Sequence, residues 1–193
     1  DGEDEIPGKA ADGAKALIDE LHSALDPKAY RKAVALLAES EFIDIFGVEN
    51  SLTPAMDLFT KLGYLGLTCR LNTDAYLQQI GAGHLPHGAV AVAFSHSGSS
   101  ADTVKALRLA KSHGAKTIAI TNAIGAPLAS WADVTLLTGR DSHTIYGNAI
   151  FSRVADTALV DMLYMGVILS GYGRFSTALD ESGRMIRDRV FEN

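Results

Sequence analysis

The sequence predicts an α/β fold of three layers: a five-stranded parallel sheet with helices on both faces, extended by extra N-terminal and C-terminal helices. Two observations carry this. Five short apolar runs recur along the chain between turn residues, and stretches of helical periodicity separate them. Runs of that kind read as strands buried on both faces. Their alternation with helices is what a parallel sheet with right-handed crossovers requires. A length of 193 residues suits one such domain with a sizeable core.

Taken in order, apolar residues at helical spacing predict a helix over Ala10–Ala24. Asp26 as N-cap and Pro27 in the first helical position start a second. Phe42–Gly47 is the first strand, Pro54–Leu65 a helix, Leu67–Leu71 the second strand, Asp74–Ile80 a helix and Ala89–Phe94 the third strand. Helix Ala101–His113 is stopped by Gly114, and strands Thr117–Ile120 and Val134–Leu137 complete the sheet. The last long helix, Asn148 to about Ser170, is apolar almost all the way round. Such a helix is buried on several sides, so it is expected both to complete the core and to join subunits of a homo-oligomer, a dimer or tetramer.

Composition removes several function classes. Hydrophobic residues make up 47% and charged residues 21%, the balance of a folded globular chain. A net charge of −6 without a Lys/Arg cluster lacks the footprint of a nucleic-acid surface. Cys69 has no second cysteine to pair with and sits in a strand as a small hydrophobe, which suits a reducing cytoplasm. In Ala149–Leu169, the one stretch long enough to suggest a membrane span, Arg153, Asp156 and Asp161 intervene at roughly 2.5–3.5 kcal/mol per central charge. No membrane partner is expected. The acidic, polar start at Asp1 is neither signal peptide nor anchor, and reads as the edge of a piece cut from a longer protein.

Chemistry concentrates after the third strand, in Ser95-His-Ser-Gly-Ser-Ser100 followed by a helix opening with Ala101-Asp102. Hydroxyls and backbone N–H groups at the positive end of a helix dipole make an anion site. One serine there would be an ordinary N-cap worth about 1 kcal/mol. Four serines and a glycine in six residues favour anion binding. The first strand ends similarly in Gly47-Val-Glu-Asn-Ser51, and Ser51 supplies a further hydroxyl if the first and third strands are neighbours.

These residues resemble the sugar isomerase (SIS) domain, a phosphosugar-binding module of isomerases and regulators with a flavodoxin-like sheet. The resemblance covers roughly Ala38–Leu169. It rests on Ser95, Ser97, Gly98, Ser100 and Asp102, which match a Ser-x-Ser-Gly-x-Ser/Thr-x-acid signature, and on Ala119–Asn122, Pro127-Leu128 and Ala132–Val134 after it. Ser152-Arg153 and the stretch to Asp161 look like the effector domain of RpiR-type transcriptional regulators. The resemblance implies that Ser51, Ser95, Ser97 and Ser100, with the backbone N–H groups of His96 and Gly98, hold the phosphate of a phosphorylated sugar or sugar-acid effector. It also implies that operator DNA is read only by a helix-turn-helix domain upstream of Asp1. Residues 1–37 would then be helices and linker from that missing domain, and 38–193 the SIS domain with its C-terminal helices. No cofactor and no metal are implied.

Glu49 departs from the family pattern, which has a glycine there. A carboxylate about 4 Å from a phosphate repels it by roughly 4 kcal/mol per charge pair at an effective dielectric of 20. Glu49 must turn away, meet a positive group on the ligand, or spoil the site. The rival expectation is an aldose–ketose phosphate isomerase or related lyase, with Glu49, His96 or His143 as the base. Against it, Asp141–Tyr146 offers no glutamate where related enzymes place one. His84-Leu-Pro-His87 has no further ligand nearby to complete a metal set.

Overall fold

A computed structural model describes residues 2–140 and 153–187. Its sheet is parallel throughout, with strands β1 (Ile43–Phe46), β2 (Cys69–Leu71), β3 (Val90–Phe94), β4 (Lys116–Thr121) and β5 (Val134–Leu137) in the order β2-β1-β3-β4-β5. The chain runs outward from β1 to β2, then crosses back to place β3 on the other side of β1. That reversal falls between β1 and β3, where the loops after their carboxyl ends part and leave a crevice.

Helices α1 (Ile6–Ala24), α2 (Pro27–Glu39), α3 (Leu52–Tyr64), α6 (Val154–Ser170) and α7 (Tyr172–Met185) gather on one side of the sheet, and α4 (Ala75–Ala82) and α5 (Ala101–Ser112) on the other. Alternation along the strands separates the two layers. Ile43, Ile45, Val90, Val92, Ile118, Ile120, Val134 and Leu136 face the larger helical layer, where Leu37, Leu58, Leu159, Leu163 and Phe175 meet them. Ala89, Ala91, Ala93 and Ala119 face the other way. Their small side chains let α5 lie close, through Ala106, Leu107 and Ala110.

Local signals fix the helix starts. The Asp26 carboxylate accepts from the N–H groups of Lys28 and Ala29, both at 3.1 Å, and Pro27 occupies the first turn, where its missing N–H leaves nothing unsatisfied. Asp74 caps α4 by accepting from Leu77 N–H at 2.9 Å. Gly114, at φ 87°, ends α5 and turns the chain into β4. α1 begins at Ile6, four residues before the apolar periodicity sets in. Pro7 suits its first turn, but of the whole helix only Leu21 is buried.

One expected apolar strand holds a charge. Asp44, 1% exposed, sits between Ile43 and Ile45 and takes two hydrogen bonds from its cross-strand neighbour Arg70, at 3.0 and 2.6 Å. Burial pushes the Asp44 carboxyl above its ordinary value against the pull of Arg70, whose guanidinium also lies over the Phe42 ring.

α6 turns Ala155, Leu159, Val160, Leu163 and Val167 inward and leaves Met165 and Leu169 exposed. Gly171 breaks it, and α7 departs at 116° with Phe175 buried in the core. Among the described residues no single helix is long and apolar enough to cross a membrane.

Candidate functional site

β1 and β3 pair directly, from Ile43↔Val90 to Phe46↔Ala93, so the loops that follow them lie side by side. Between them is a cleft of about 390 Å³ lined by Val48, Glu49, Asn50, Ser51, Ser95, His96, Ser97, Ser100, Asp102 and Arg153. The neighbour relation on which the use of Ser51 depended therefore holds. Ser51, Ser95, His96, Ser97, Ser100 and Glu49 share one cleft; Gly98 lies within the loop beneath it.

Ser51 and Ser100 occupy the N-cap positions of α3 and α5, yet neither side chain makes a capping hydrogen bond. The Ser100 hydroxyl instead accepts from Thr103 Oγ1 at 3.3 Å. Ser97 Oγ accepts from the Ser99 N–H at 3.3 Å, and the Ser99 hydroxyl donates to the Ser97 carbonyl. Ser95 is 4% exposed and its N–H belongs to the sheet, donating to Ile120 O. The first turn of α5 is thus left without a side-chain acceptor, facing a space ringed by hydroxyls.

Gly98 sets the shape of the loop. Its φ is 62°, and a Cβ there would lie 2.3 Å from Ala126 Cβ and 2.8 Å from Thr121 Oγ1. Its N–H donates to Ser95 O at 2.9 Å, and its carbonyl accepts from Leu128 N–H. The Gly98 N–H expected to face a phosphate is therefore engaged inside the loop, where it closes the turn. Gly98 contributes conformation and close packing rather than a donor.

Glu49 occupies an unfavourable backbone. It opens a short 3₁₀ turn, Glu49–Ser51, at φ 52°, the only non-glycine residue with positive φ among those described. A glycine would be at ease there, so the departure from the family pattern carries a backbone cost of roughly 1–2 kcal/mol as well as a charge. The side chain is exposed at the rim of the cleft.

Three features escaped sequence reasoning. Arg153, noted in the sequence only as a charge interrupting an apolar stretch and as part of a resemblance, brings a cation to the cleft from the start of α6. Behind it lies Asp156, which is 5% exposed; burial raises its pKa, while the Arg153 charge and the Thr138 hydroxyl pull it down. The second feature is Gln78, whose amide donates to Gly47 O at 2.7 Å and Asn72 O at 2.8 Å, fixing the end of β1. The third is Gln79, which donates to Asp102 at 3.0 Å and so holds the signature acid. Two adjacent glutamines on a helix as short as α4 were the available signal, but it does not say what they bind. His143, with Asp141–Tyr146 and Ser152, lies outside the described residues.

Residues 36–166 match the SIS domain family. Among curated relatives, an uncharacterised HTH-type transcriptional regulator of Caldanaerobacter subterraneus subsp. tengcongensis is 30% identical, over 96% of this chain and 66% of its own. The HTH-type transcriptional regulator HexR of Escherichia coli is 28% identical over 100% of this chain and 66% of its own. The chain thus spans about half to two thirds of the curated relatives it matches. Among solved structures, Vibrio vulnificus NanR complexed with ManNAc-6P superposes with a TM-score of 0.90 at 24% identity, covering 97% of this chain and 70% of that one. The sugar isomerase domain of an RpiR transcription factor from Sphaerobacter thermophilus gives 0.84 at 22% identity, over 93% and 99%. With that match covering more than half of the chain, and the serine loop and every residue lining the cleft lying within it, the chain belongs to the SIS domain family.

Proposed function

We propose that this chain is the phosphosugar-sensing effector domain of a transcriptional regulator of carbohydrate metabolism. The observation that carries the proposal is the meeting of two uncapped helix starts, those of α3 and α5, across one cleft with the hydroxyls of Ser51, Ser95, Ser97 and Ser100 between them. The phosphate sits against the first turn of α5, and Arg153 supplies the countercharge. HTH-type regulators among the relatives support the regulatory output. A sugar or sugar-acid phosphate fits the polar lining, and the ligand named for NanR is of that class.

In the whole protein, operator DNA is read by a helix-turn-helix domain that precedes residues 1–37, in the cytoplasm. Two copies associate through the outer face of α6. There Leu25, Tyr30, Met162, Met165 and Leu169 line an apolar groove of about 440 Å³, with Met165 53% and Leu169 69% exposed. Apolar surface of this kind is what a subunit contact covers.

The test is a thermal-shift screen against sugar phosphates, amino-sugar phosphates and phosphorylated sugar acids, with the unphosphorylated parents and inorganic phosphate beside them. A ligand at a hundred times its Kd stabilises the native state by about 2.7 kcal/mol. A phosphate-dependent shift with no product supports the sensor, and no shift across the panel rejects it. The isomerase reading has one observation in its favour, that Glu49 and His96 face the same cleft. Product formation from a bound aldose phosphate would establish it.

A further inference from the structure

Beside the cleft, where β4 and β5 end, lies a polar group that the phosphate site does not use. Asn122, 8% exposed, follows β4 directly. Its N–H donates to the His96 carbonyl at 3.0 Å, and its side-chain amide lies 3.5 Å from His96 Nε2. The other side of that amide faces helix α1. A Cβ on Gly139 would lie 2.2 Å from Asn122 Oδ1 and 3.3 Å from Glu20 Oε2, so the two oxygens converge on the space that Gly139 leaves open. Both are fully buried, and neither has a hydrogen-bond partner among the described residues.

Two buried acceptors facing each other have no proton to share, and each such group carries a desolvation cost. A half-turn of the amide resolves both ends at once, because the oxygen and nitrogen of an Asn side chain occupy equivalent places. Its NH₂ then meets the carboxylate of Glu20, and its oxygen meets the imidazole.

We propose that Glu20, Asn122 and His96 form a buried relay: Asn122 Nδ2–H donates to Glu20 Oε2, and His96 Nε2–H donates to Asn122 Oδ1. The relay makes Asn122 and Glu20 positioning residues for His96. It holds the imidazole as the Nε2–H tautomer at the wall of the cleft. Resting on the reading of that cleft as a phosphosugar site, it also ties occupancy to the docking of α1, the helix nearest the chain's N-terminus. By linkage, what α1 docking does for ligand affinity, the ligand does for α1 docking.

The experiment is ¹⁵N NMR of the histidine rings in the ligand-free chain at pH 8.5, with His96→Gln assigning the resonance. The expected result is the Nε2–H tautomer in the wild type and in Glu20→Gln, whose side-chain oxygen still accepts, and its loss in Glu20→Ala and Asn122→Ala. An Nδ1–H tautomer in the wild type, or a tautomer indifferent to Glu20→Ala, overturns the relay. Should the alanine variants fail to fold, an Nδ1–H tautomer in the wild type still overturns the relay. Coupling is read separately, by hydrogen exchange with 50 mM inorganic phosphate. Amides of α1 should be protected by phosphate in the wild type and not in Asn122→Ala. Phosphate binding without a change in α1 overturns the coupling; absence of phosphate binding with the tautomer intact overturns the phosphate reading of the cleft and leaves the relay standing.

Discussion

Replacing Glu49 by glycine removes two costs that the structure separates. The first is backbone. At φ 52° a side-chain-bearing residue is disfavoured by roughly 1–2 kcal/mol, and glycine is not. Glycine returns about 0.4–1 kcal/mol of that through greater freedom of the unfolded chain. The net gain is about 0.5–1 kcal/mol, a rise in Tm of about 1–4 °C for a chain of this size. The second is charge. With the carboxylate at the rim of the cleft, the repulsion at about 4 Å from a phosphate lies between about 1 kcal/mol per charge pair in water and about 4 kcal/mol at an effective dielectric of 20. Exposure and salt place the true value near the lower end, which still means about fivefold tighter binding. Glu49→Gln separates the two, since it keeps the strained backbone and loses the charge. Isothermal titration with inorganic phosphate and fructose 6-phosphate, alongside thermal melts, reads both. Glu49→Gly should raise Tm and affinity, and Glu49→Gln affinity alone. If Glu49→Gln weakens fructose 6-phosphate binding while leaving phosphate unaffected, the carboxylate recognises the sugar and the repulsion argument is wrong.

Gly98→Ala should cost at least about 2 kcal/mol in chemical denaturation and abolish phosphate-dependent stabilisation, because a Cβ meets Ala126 and Thr121 at a positive φ; a fully stable variant would mean the loop shifts freely. Burial alone would raise the Asp133 pKa, but hydrogen bonds from Lys111 and from the N–H and hydroxyl of Thr117 outweigh it and hold it below the ordinary value. A depressed carboxyl stabilises the fold above its unfolded pKa and loses that contribution as pH falls through the folded one. Asp133→Asn should therefore be less stable than wild type at pH 7, the gap narrowing below about pH 4, and urea melts showing a constant gap from pH 7 to 3 would refute this. Burial pushes the Cys69 thiol up to about 12, so iodoacetamide at pH 8 should label it far more slowly than free cysteine, with labelling at the free rate counting against its place in the strand.

Which features could be read from the sequence follows from how far each signal reaches along the chain. The five strands, the cap at Asp26 and the stop at Gly114 are local, written within a few residues of one another, and they stand where the periodicity and turn residues place them. The serine loop was equally legible, since one short segment holds most of its groups. Arg153 was not, because it reaches the cleft from a helix more than fifty residues downstream of Ser100. Nor were Gln78 and Asp44, whose partners Gly47 and Arg70 come from other elements. An apolar run with one aspartate still reads as a strand; that the aspartate is matched to an arginine across β1 and β2 is a fact of register.

The same register explains why a cleft arises on this sheet at all. Alternating strand residues give one face isoleucine and valine and the other alanine. The alanine face draws α5 close to β3 and β4, which brings its first turn to the end of β3. β1 is β3's direct neighbour through the reversal in strand order, so the start of α3 arrives at the same level. Two helix starts whose N-cap serines are not spent on capping are thus delivered to one crevice by the packing of the core beneath them. Enlarging an alanine at that contact, as in Ala93→Val, should push α5 outward and lower phosphate affinity although Ala93 itself does not line the cleft. Unchanged affinity in a destabilised Ala93→Val variant would mean that the loop holds its shape through Gly98 and its own hydrogen bonds, independent of where α5 rests.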